Sequence, residues 1–211
     1  MTNTTSKKTI GRLSLYRRLL REMQSNGTTS VYSHQLATQA SVTAAQVRRD
    51  LMAVGYTGSP IKGYGVGELV ESIGNFLDSP EDQNVALVGV GNLGRAILTY
   101  FGGRRPKLAI VAGFDKDASK ANRVINGCRC YPIEEMPEVV EQHRIHTGII
   151  TVPAGQAQVV ADLMIHAGIR GILNFAPTPL RVPPDAYVED IDMAVSLEKV
   201  AYFSHHNNNN G

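Results

Sequence analysis

Two sets of residues have types and spacing suited to chemistry. The first is Gly89-Val90-Gly91-Asn92-Leu93-Gly94, a full G-x-G-x-x-G. In such a turn the first glycine permits a tight passage from strand to helix. The second lets a pyrophosphate approach the backbone, and the third lets helix and strand pack closely. The phosphates then meet the positive end of the following helix, where N–H groups point outward. Asp115 lies 21 residues past Gly94 and closes the apolar run Leu108–Phe114. A carboxylate there suits the paired ribose hydroxyls of NAD and would repel the extra phosphate of NADP. The second set is Arg48-Arg49, two adjacent arginines left free near the middle of a short helical stretch. Guanidinium groups displayed this way suit a polyanion.

The elements that must position the first set are legible in the hydrophobic pattern. Val85–Val88 is an apolar run of the kind a strand buried on both faces carries, and Arg95–Tyr100 is compatible with a helix. Beyond lies an alternation of strands and helices. Strands are predicted at 84–90, 107–114, 129–132, 147–152 and 171–175, with helices at 92–101, 117–124, 134–143 and 156–167. Such alternation predicts a parallel, doubly wound sheet with the ligand crevice at the carboxyl ends of its strands. Thr151-Val152-Pro153-Ala154 and the segment from Asn174 to Pro179 each follow a strand at that edge. They are the candidates for the nicotinamide end of the pocket.

The second set belongs to a different domain. Leu13, Tyr16, Leu19, Leu20 and Met23 fall on one face of a helix over 13–24, with arginines opposite. Ser33 is placed to cap a second helix, and Thr43 with Gln46 has capping-box spacing for a third over Ala44–Val54. In that third helix Ala45, Val47, Leu51 and Val54 are expected to face inward. Two short helices joined by a minimal turn read as helix-turn-helix. The glycine-rich stretch Gly55–Val66 that follows fits a β-hairpin with a basic tip, a wing. Residues 67–77 read as a linker helix, and Asp78–Asp82 as the polar boundary between domains.

Charge agrees with that division. From Lys7 to Lys62 there are nine basic residues and two acids, a net of +7, whereas the remainder carries 12 basic and 17 acidic residues, a net of −5. A basic head on an acidic body suits nucleic acid, although solvated helix faces would carry similar charge. The 211 residues are 43% hydrophobic and 19% charged. No stretch approaches the roughly 20 apolar residues of a membrane span, and the first residues lack the apolar core of a signal peptide. The expected setting is cytoplasmic. Cys128 and Cys130 have no partner pair and form neither a disulfide framework nor a zinc site. They read as reduced thiols beside a strand, with a redox role as the alternative. No metal site is expected.

The reading is thus an α/β chain in three parts. Residues 1–80 form a winged helix-turn-helix domain, and residues 81–193 a Rossmann-like domain binding NAD(H). Residues 194–211 form a C-terminal helix and tail. The last helix has apolar residues around much of its surface and is expected to bury them against a second subunit.

Over almost its whole length the chain resembles the Rex family of bacterial redox-sensing transcriptional repressors. The match rests on VTAAQVRRDL (Val42–Leu51), KGYGV (Lys62–Val66), VGNLG (Val90–Gly94), TVPA (Thr151–Ala154), GIRGILNFAP (Gly168–Pro177) and the run from Asp190 to Glu198. The resemblance implies a homodimer whose terminal helices are exchanged, binding palindromic operator DNA and released by NADH, so that it reads the NADH/NAD+ ratio. It places Gln46, Arg48 and Arg49 on a recognition helix and Lys62, Gly63 and Tyr64 on the wing. It makes Arg18, Tyr100 and Asp192 a set of contacts that differ between two states, and it brings Met193 toward the nicotinamide. Gly89, Val90, Gly91, Asn92, Leu93, Gly94, Asp115, Thr151, Val152, Pro153 and Asn174 complete the cofactor site.

The alternative is an NAD-dependent oxidoreductase fused to a small helical domain. That chemistry needs a general acid or base at the substrate carbonyl. The strand-end loops offer Thr151, Asn174 and Thr178 but no Lys, His or carboxylate, and His143, His146 and His166 lie away from the strands' carboxyl ends. The residues predict no catalytic group.

Overall fold

The computed structural model describes residues 5–56, 63–78, 83–102 and 108–207. The chain divides into two compact units, Met1–Pro80 and Glu81–Gly211.

The first unit is helical. Helix α1 (Lys7–Ser25) is capped by Ser6, whose hydroxyl accepts from the Thr9 N–H. It begins six residues before Leu13, because its first turns are polar and carry no periodicity. Helix α2 spans Ser33–Ala40 and α3 spans Ala44–Ala53, with the two-residue strand β1 (Ser30–Val31) before them. Strand β2 (Tyr64–Gly65) pairs antiparallel with β1, and α4 (Val66–Leu77) follows directly. The strand-bearing end of the wing is therefore fastened to the segment ahead of α2. Residues 57–62, the middle of the expected hairpin, lie outside the described residues. Leu13, Tyr16, Leu20, Leu36, Val47, Leu51, Leu69 and Ile73 form the buried core. Each such side chain contributes about 1.5–3 kcal/mol on burial.

Four local expectations change here. Ser33 is the first residue of α2 rather than its cap, and Gln35 instead accepts from the Tyr32 N–H at 2.8 Å. Thr43 does cap α3, but Gln46 does not complete the box, because its side chain is drawn to Asp50. Ala45 is exposed, and Asp50 occupies the interior. Arg17 is buried rather than on the solvent face, its guanidinium donating to Asp78 Oδ1 at 2.5 Å.

Asp50 is 2% exposed, and it is paired. Arg12 donates Nε to Oδ2 at 2.6 Å and Nη2 to Oδ1 at 2.8 Å, and the Tyr16 hydroxyl donates to Oδ2 at 3.0 Å. Burial pushes the Asp50 carboxyl up, and the hydrogen bonds from Arg12, Gln46 and Tyr16 outweigh it, leaving it below the ordinary value.

The second unit is a seven-stranded sheet. Its strands are β3 (Gln83–Val88), β4 (Leu108–Asp115), β5 (Val124–Ile125), β6 (Cys128–Pro132), β7 (Thr147–Ile150), β8 (Gly171–Asn174) and β9 (Tyr187–Asp190). Their order is β5-β6-β4-β3-β7-β8-β9, parallel throughout except where β5 folds back on β6. From β6 to β9 this is the dinucleotide-binding order, reversing direction between β3 and β7. Helices α5 (Asn92–Phe101), α6 (Met136–Gln142) and α7 (Ala154–His166) make the crossovers, and α8 (Met193–Asn207) ends the described chain. β3 stops at Val88 because Gly89 takes φ +100°, and Gly94 in α5 then lies against its carbonyl. The helix expected over 117–124 is absent. Asp117 Oδ1 captures the Ser119 N–H, Asn122 turns left-handed at φ 59°, and the chain enters the β5–β6 hairpin instead. Strand β9, mostly exposed, is an addition to the strands the sequence predicts.

Arg12→Ala leaves a buried carboxylate without its cation. The expected loss is about 3 kcal/mol in the stability of the helical unit, read from denaturant unfolding at pH 7. Asp50's lowered value means the stability its charge lends is complete above about pH 4 and is lost as pH falls through that lowered value. Wild type should therefore lose stability in that acid range more steeply than Arg12→Ala. Equal stability of the two proteins at pH 7 would contradict the assignment.

Candidate functional site

The candidate nucleotide site lies where the strand order of the sheet reverses. A cavity of about 220 Å³ lies at the carboxyl ends of β3 and β7, lined by Val88, Gly89, Gly91, Asp115, Lys116, Lys120, Ile133, Thr151, Val152, Pro153, Gln156 and Val160. The Gly-rich turn forms one wall. Gly91 is the N-cap of α5 and no side chain caps the helix. The first-turn N–H groups are thus left for a ligand, the arrangement that binds a phosphate. Val90 is buried, and its N–H donates to Asp115 Oδ2 at 2.8 Å. Asn92 is exposed, Leu93 half-buried, and Gly94 buried in the seam between helix and strand. Thr151 donates its hydroxyl to Gly89 O at 2.7 Å and Val88 O at 3.1 Å, tying the loop after β7 to the Gly-rich turn.

Asp115 stands at the end of β4, 8% exposed. Besides the Val90 N–H it accepts from the Asp117 N–H at 3.0 Å and from Lys120 Nζ at 2.9 Å. Three of its roughly four lone-pair sites are therefore filled by protein. Lys120 also lies 3.8 Å from Asp117. Lys116, Lys120, Ile133 and Gln156 escaped the sequence reading. Lys120 follows Asp115 by five residues, but the expected helix hid the turn that brings it back.

Asn174 sits elsewhere. It is fully buried, and its amide donates to Thr178 O and Asp190 Oδ1, both at 2.8 Å, and accepts from the Ala176 N–H at 3.0 Å. It fastens the loop after β8 to β9 and is not among the residues lining the cavity. Met193 is the first residue of α8 and is exposed. Cys128 and Cys130 lie on β6, buried and free. Burial pushes the Cys128 thiol up to about 12, and burial together with the Asp115 charge raises that of Cys130. Thiols so protonated are poor nucleophiles. Among the described residues no cluster of His, Cys, Asp or Glu could hold a metal ion.

In the helical unit the candidate surface is α3 with the wing strand. Arg48 and Arg49 are both exposed. Arg48 Nη1 donates to Ser33 Oγ on α2 at 3.1 Å, and Arg49 Nη2 donates to Gln46 Oε1 at 3.0 Å. Gly63, at φ +72°, lies so close to the Val31 carbonyl that a Cβ would stand 2.8 Å from it. Tyr64 pairs with Val31 in the β1–β2 ladder. Lys62 lies outside the described residues.

The three residues expected to change contacts between states fall in both units. Arg18 is exposed on α1. Tyr100 stacks edge-on against Phe101 near the end of α5. Asp192 precedes α8 and its carboxylate accepts from the Val195 N–H at 3.0 Å, a capping contact.

Residues 80–178 match the family model of the CoA binding domain, and residues 4–51 match that of the putative DNA-binding protein N-terminus. The redox-sensing transcriptional repressor Rex of Pelotomaculum thermopropionicum is 42% identical over 194 residues, covering 92% of this chain and 91% of that one. The repressor of the same name from Carboxydothermus hydrogenoformans is also 42% identical, covering 92% and 93% of the two chains. Among solved structures, RSP bound to β-NAD+ and operator DNA superposes with a TM-score of 0.89 at 30% identity, covering 98% of this chain and 95% of that one. RSP bound to β-NADH gives 0.85 at the same identity, covering 98% and 97%. With relatives of this identity spanning both units, the chain belongs to the Rex family of redox-sensing transcriptional repressors.

Proposed function

We propose that this protein represses transcription by binding a palindromic DNA operator, and that NADH releases it. The observation that carries the reading is one chain holding both an uncapped helix end beside Asp115 at the sheet's reversal point and a helix-turn-helix unit displaying Arg48 and Arg49. The relatives are named as repressors, which decides against an oxidoreductase. NADH and NAD+ share the cavity. Phosphates meet the first turn of α5 through Gly91, Asn92, Leu93 and Gly94, the adenosine ribose meets Asp115, and Thr151, Val152 and Pro153 line the way to the nicotinamide. Asn174 acts by fastening the loop behind it. Arg48 and Arg49 on α3, with Lys62, Gly63 and Tyr64 of the wing, meet DNA, and Gln46 stands beside Arg49 on the same helix face.

The protein works as a homodimer. Helix α8 leaves Met193, Leu197, Val200, Tyr202 and Phe203 between 57% and 69% exposed in the single chain, and a second copy exchanging the same helix would cover them. Two recognition helices then fit half-sites one helical turn apart, ~34 Å, or a multiple of it. The site of action is the cytoplasm, where operator DNA and the NADH pool are both present. No helix among the described residues is long and apolar enough to cross a membrane.

Release follows from linkage. If NADH favours a dimer arrangement that no longer fits successive grooves, DNA and NADH oppose each other by one factor, typically 5–150-fold. Arg18, Tyr100 and Asp192 are the residues we assign to that change. Saturating NADH should raise the operator dissociation constant by such a factor while NAD+ raises it little. Asp192→Ala should narrow the NADH effect. An unchanged ratio in the variant would reduce Asp192 to the helix cap it already is.

The cofactor preference rests on Asp115. Asp115→Asn can keep an acceptor for the Val90 N–H but loses the charge. NADH binding should weaken about tenfold, as for loss of a charged hydrogen bond, with NADPH affected little, both by calorimetry. Wild-type protein that binds NADPH as tightly as NADH would overturn the role given to Asp115.

A further inference from the structure

The buried carboxylate of Asp50 has a contact that its pairing with Arg12 does not require. Oδ1 also accepts from Gln46 Nε2 at 2.8 Å, one helical turn back on α3. The other end of the same amide, Oε1, accepts from Arg49 Nη2 at 3.0 Å. A carboxylate can only accept and a guanidinium can only donate. An amide bridging them therefore has one permitted orientation, with nitrogen toward Asp50 and oxygen toward Arg49. Asp50 is 2% exposed and held by three hydrogen bonds from Arg12 and Tyr16, so the inner end of this chain is fixed by the core. Its outer end is an exposed arginine on the helix that carries the DNA reading. Arg48, its neighbour, is tied instead to Ser33 on α2.

We infer that Asp50 is a positioning residue for DNA binding, acting through the Gln46 amide to hold the Arg49 guanidinium in the orientation in which it meets the operator. On an exposed helix face a Gln–Arg contact three residues apart is worth only a few tenths of a kcal/mol. Anchoring the amide to a buried, paired carboxylate removes its freedom to rotate, so Arg49 is oriented before DNA arrives. Four of its five N–H donors remain for the ligand. This preorganisation lowers the ordering cost of a long side chain on binding. Gln46 then works as an adapter between the core and Arg49, and its own amide is not the group that meets DNA.

The inference rests on the DNA-binding reading above, and the test separates the two. The probe is a palindromic duplex that the wild-type protein enriches from a randomised pool. Its dissociation constant is measured for wild type, Asp50→Asn, Gln46→Met and Arg49→Ala, and for the two doubles combining Asp50→Asn or Gln46→Met with Arg49→Ala. Gln46→Met keeps the length and packing of the side chain, removes both amide contacts, and leaves the Asp50–Arg12–Tyr16 cluster intact. It therefore carries the test if Asp50→Asn fails to fold. Each single change at 46 or 50 should weaken binding about fivefold, within the range of coupling energies for residues in one network. In the Arg49→Ala background the same changes should have no further effect. An equal loss with or without Arg49 would make Asp50 a structural residue and Gln46 a DNA contact in its own right, and the inference would fall. So it would if neither single change weakened binding. A wild-type protein that enriches no sequence would overturn the DNA reading itself and the inference with it.

Discussion

The nucleotide-binding unit depends on how closely α5 approaches the end of β3. A Cβ on Gly94 would stand 2.2 Å from the Gly89 carbonyl, a backbone atom that cannot move aside. On Gly89, at φ +100°, it would stand 2.7 Å from the Thr151 carbonyl. These two approaches seat the first turn of α5 over the sheet and press the Gly-rich turn against the loop after β7. The polar contacts are consequences of that seating. Val90 is brought within hydrogen-bonding distance of Asp115, and Thr151 reaches the carbonyls of Val88 and Gly89. The site is preformed, with its donors fixed by the backbone.

The helical unit solves a different problem, that of keeping charge inside a small core. Asp50 and Arg17 are both nearly inaccessible, and each has an opposite charge from a distant part of the chain. Such pairs contribute little net stability compared with an apolar core, yet breaking one is costly. What they supply is geometry. Arg12 joins α1 to α3, Arg17 joins α1 to the end of α4, and through Asp50 the fixed network reaches the exposed surface of α3.

What the sequence made legible is what short-range rules govern. The G-x-G-x-x-G turn, the apolar run before it, and Asp115 at the end of the next strand follow from local sterics and spacing, and Val88, Gly89, Gly91 and Asp115 line one cavity. The capped start of α3 is local as well. Contacts between distant residues were not legible. Arg12 and Asp50 are 38 residues apart, and periodicity marks neither Asp50 as buried nor Arg12 as its partner. Strand Tyr187–Asp190 leaves no periodic trace in the sequence because it is a largely exposed edge without an apolar pattern. The turn after Asp115 has the composition of a helix, because Asp117, Asn122 and Asn126 act through side-chain and left-handed backbone conformations that composition does not reveal. With that turn hidden, so is Lys120, whose ammonium pairs with the Asp115 carboxylate.

Repression released by NADH requires that one chain couple its dinucleotide site to its DNA-binding surface. Coupling of this kind is reciprocal, so it has a signature at the nucleotide site as well as on DNA. The most direct measurement is the NADH dissociation constant of the protein alone and of the protein saturated with its operator duplex, at one salt concentration. NADH should bind the DNA complex more weakly, by the same factor by which NADH weakens operator binding. An NADH affinity unchanged by operator DNA would contradict the account.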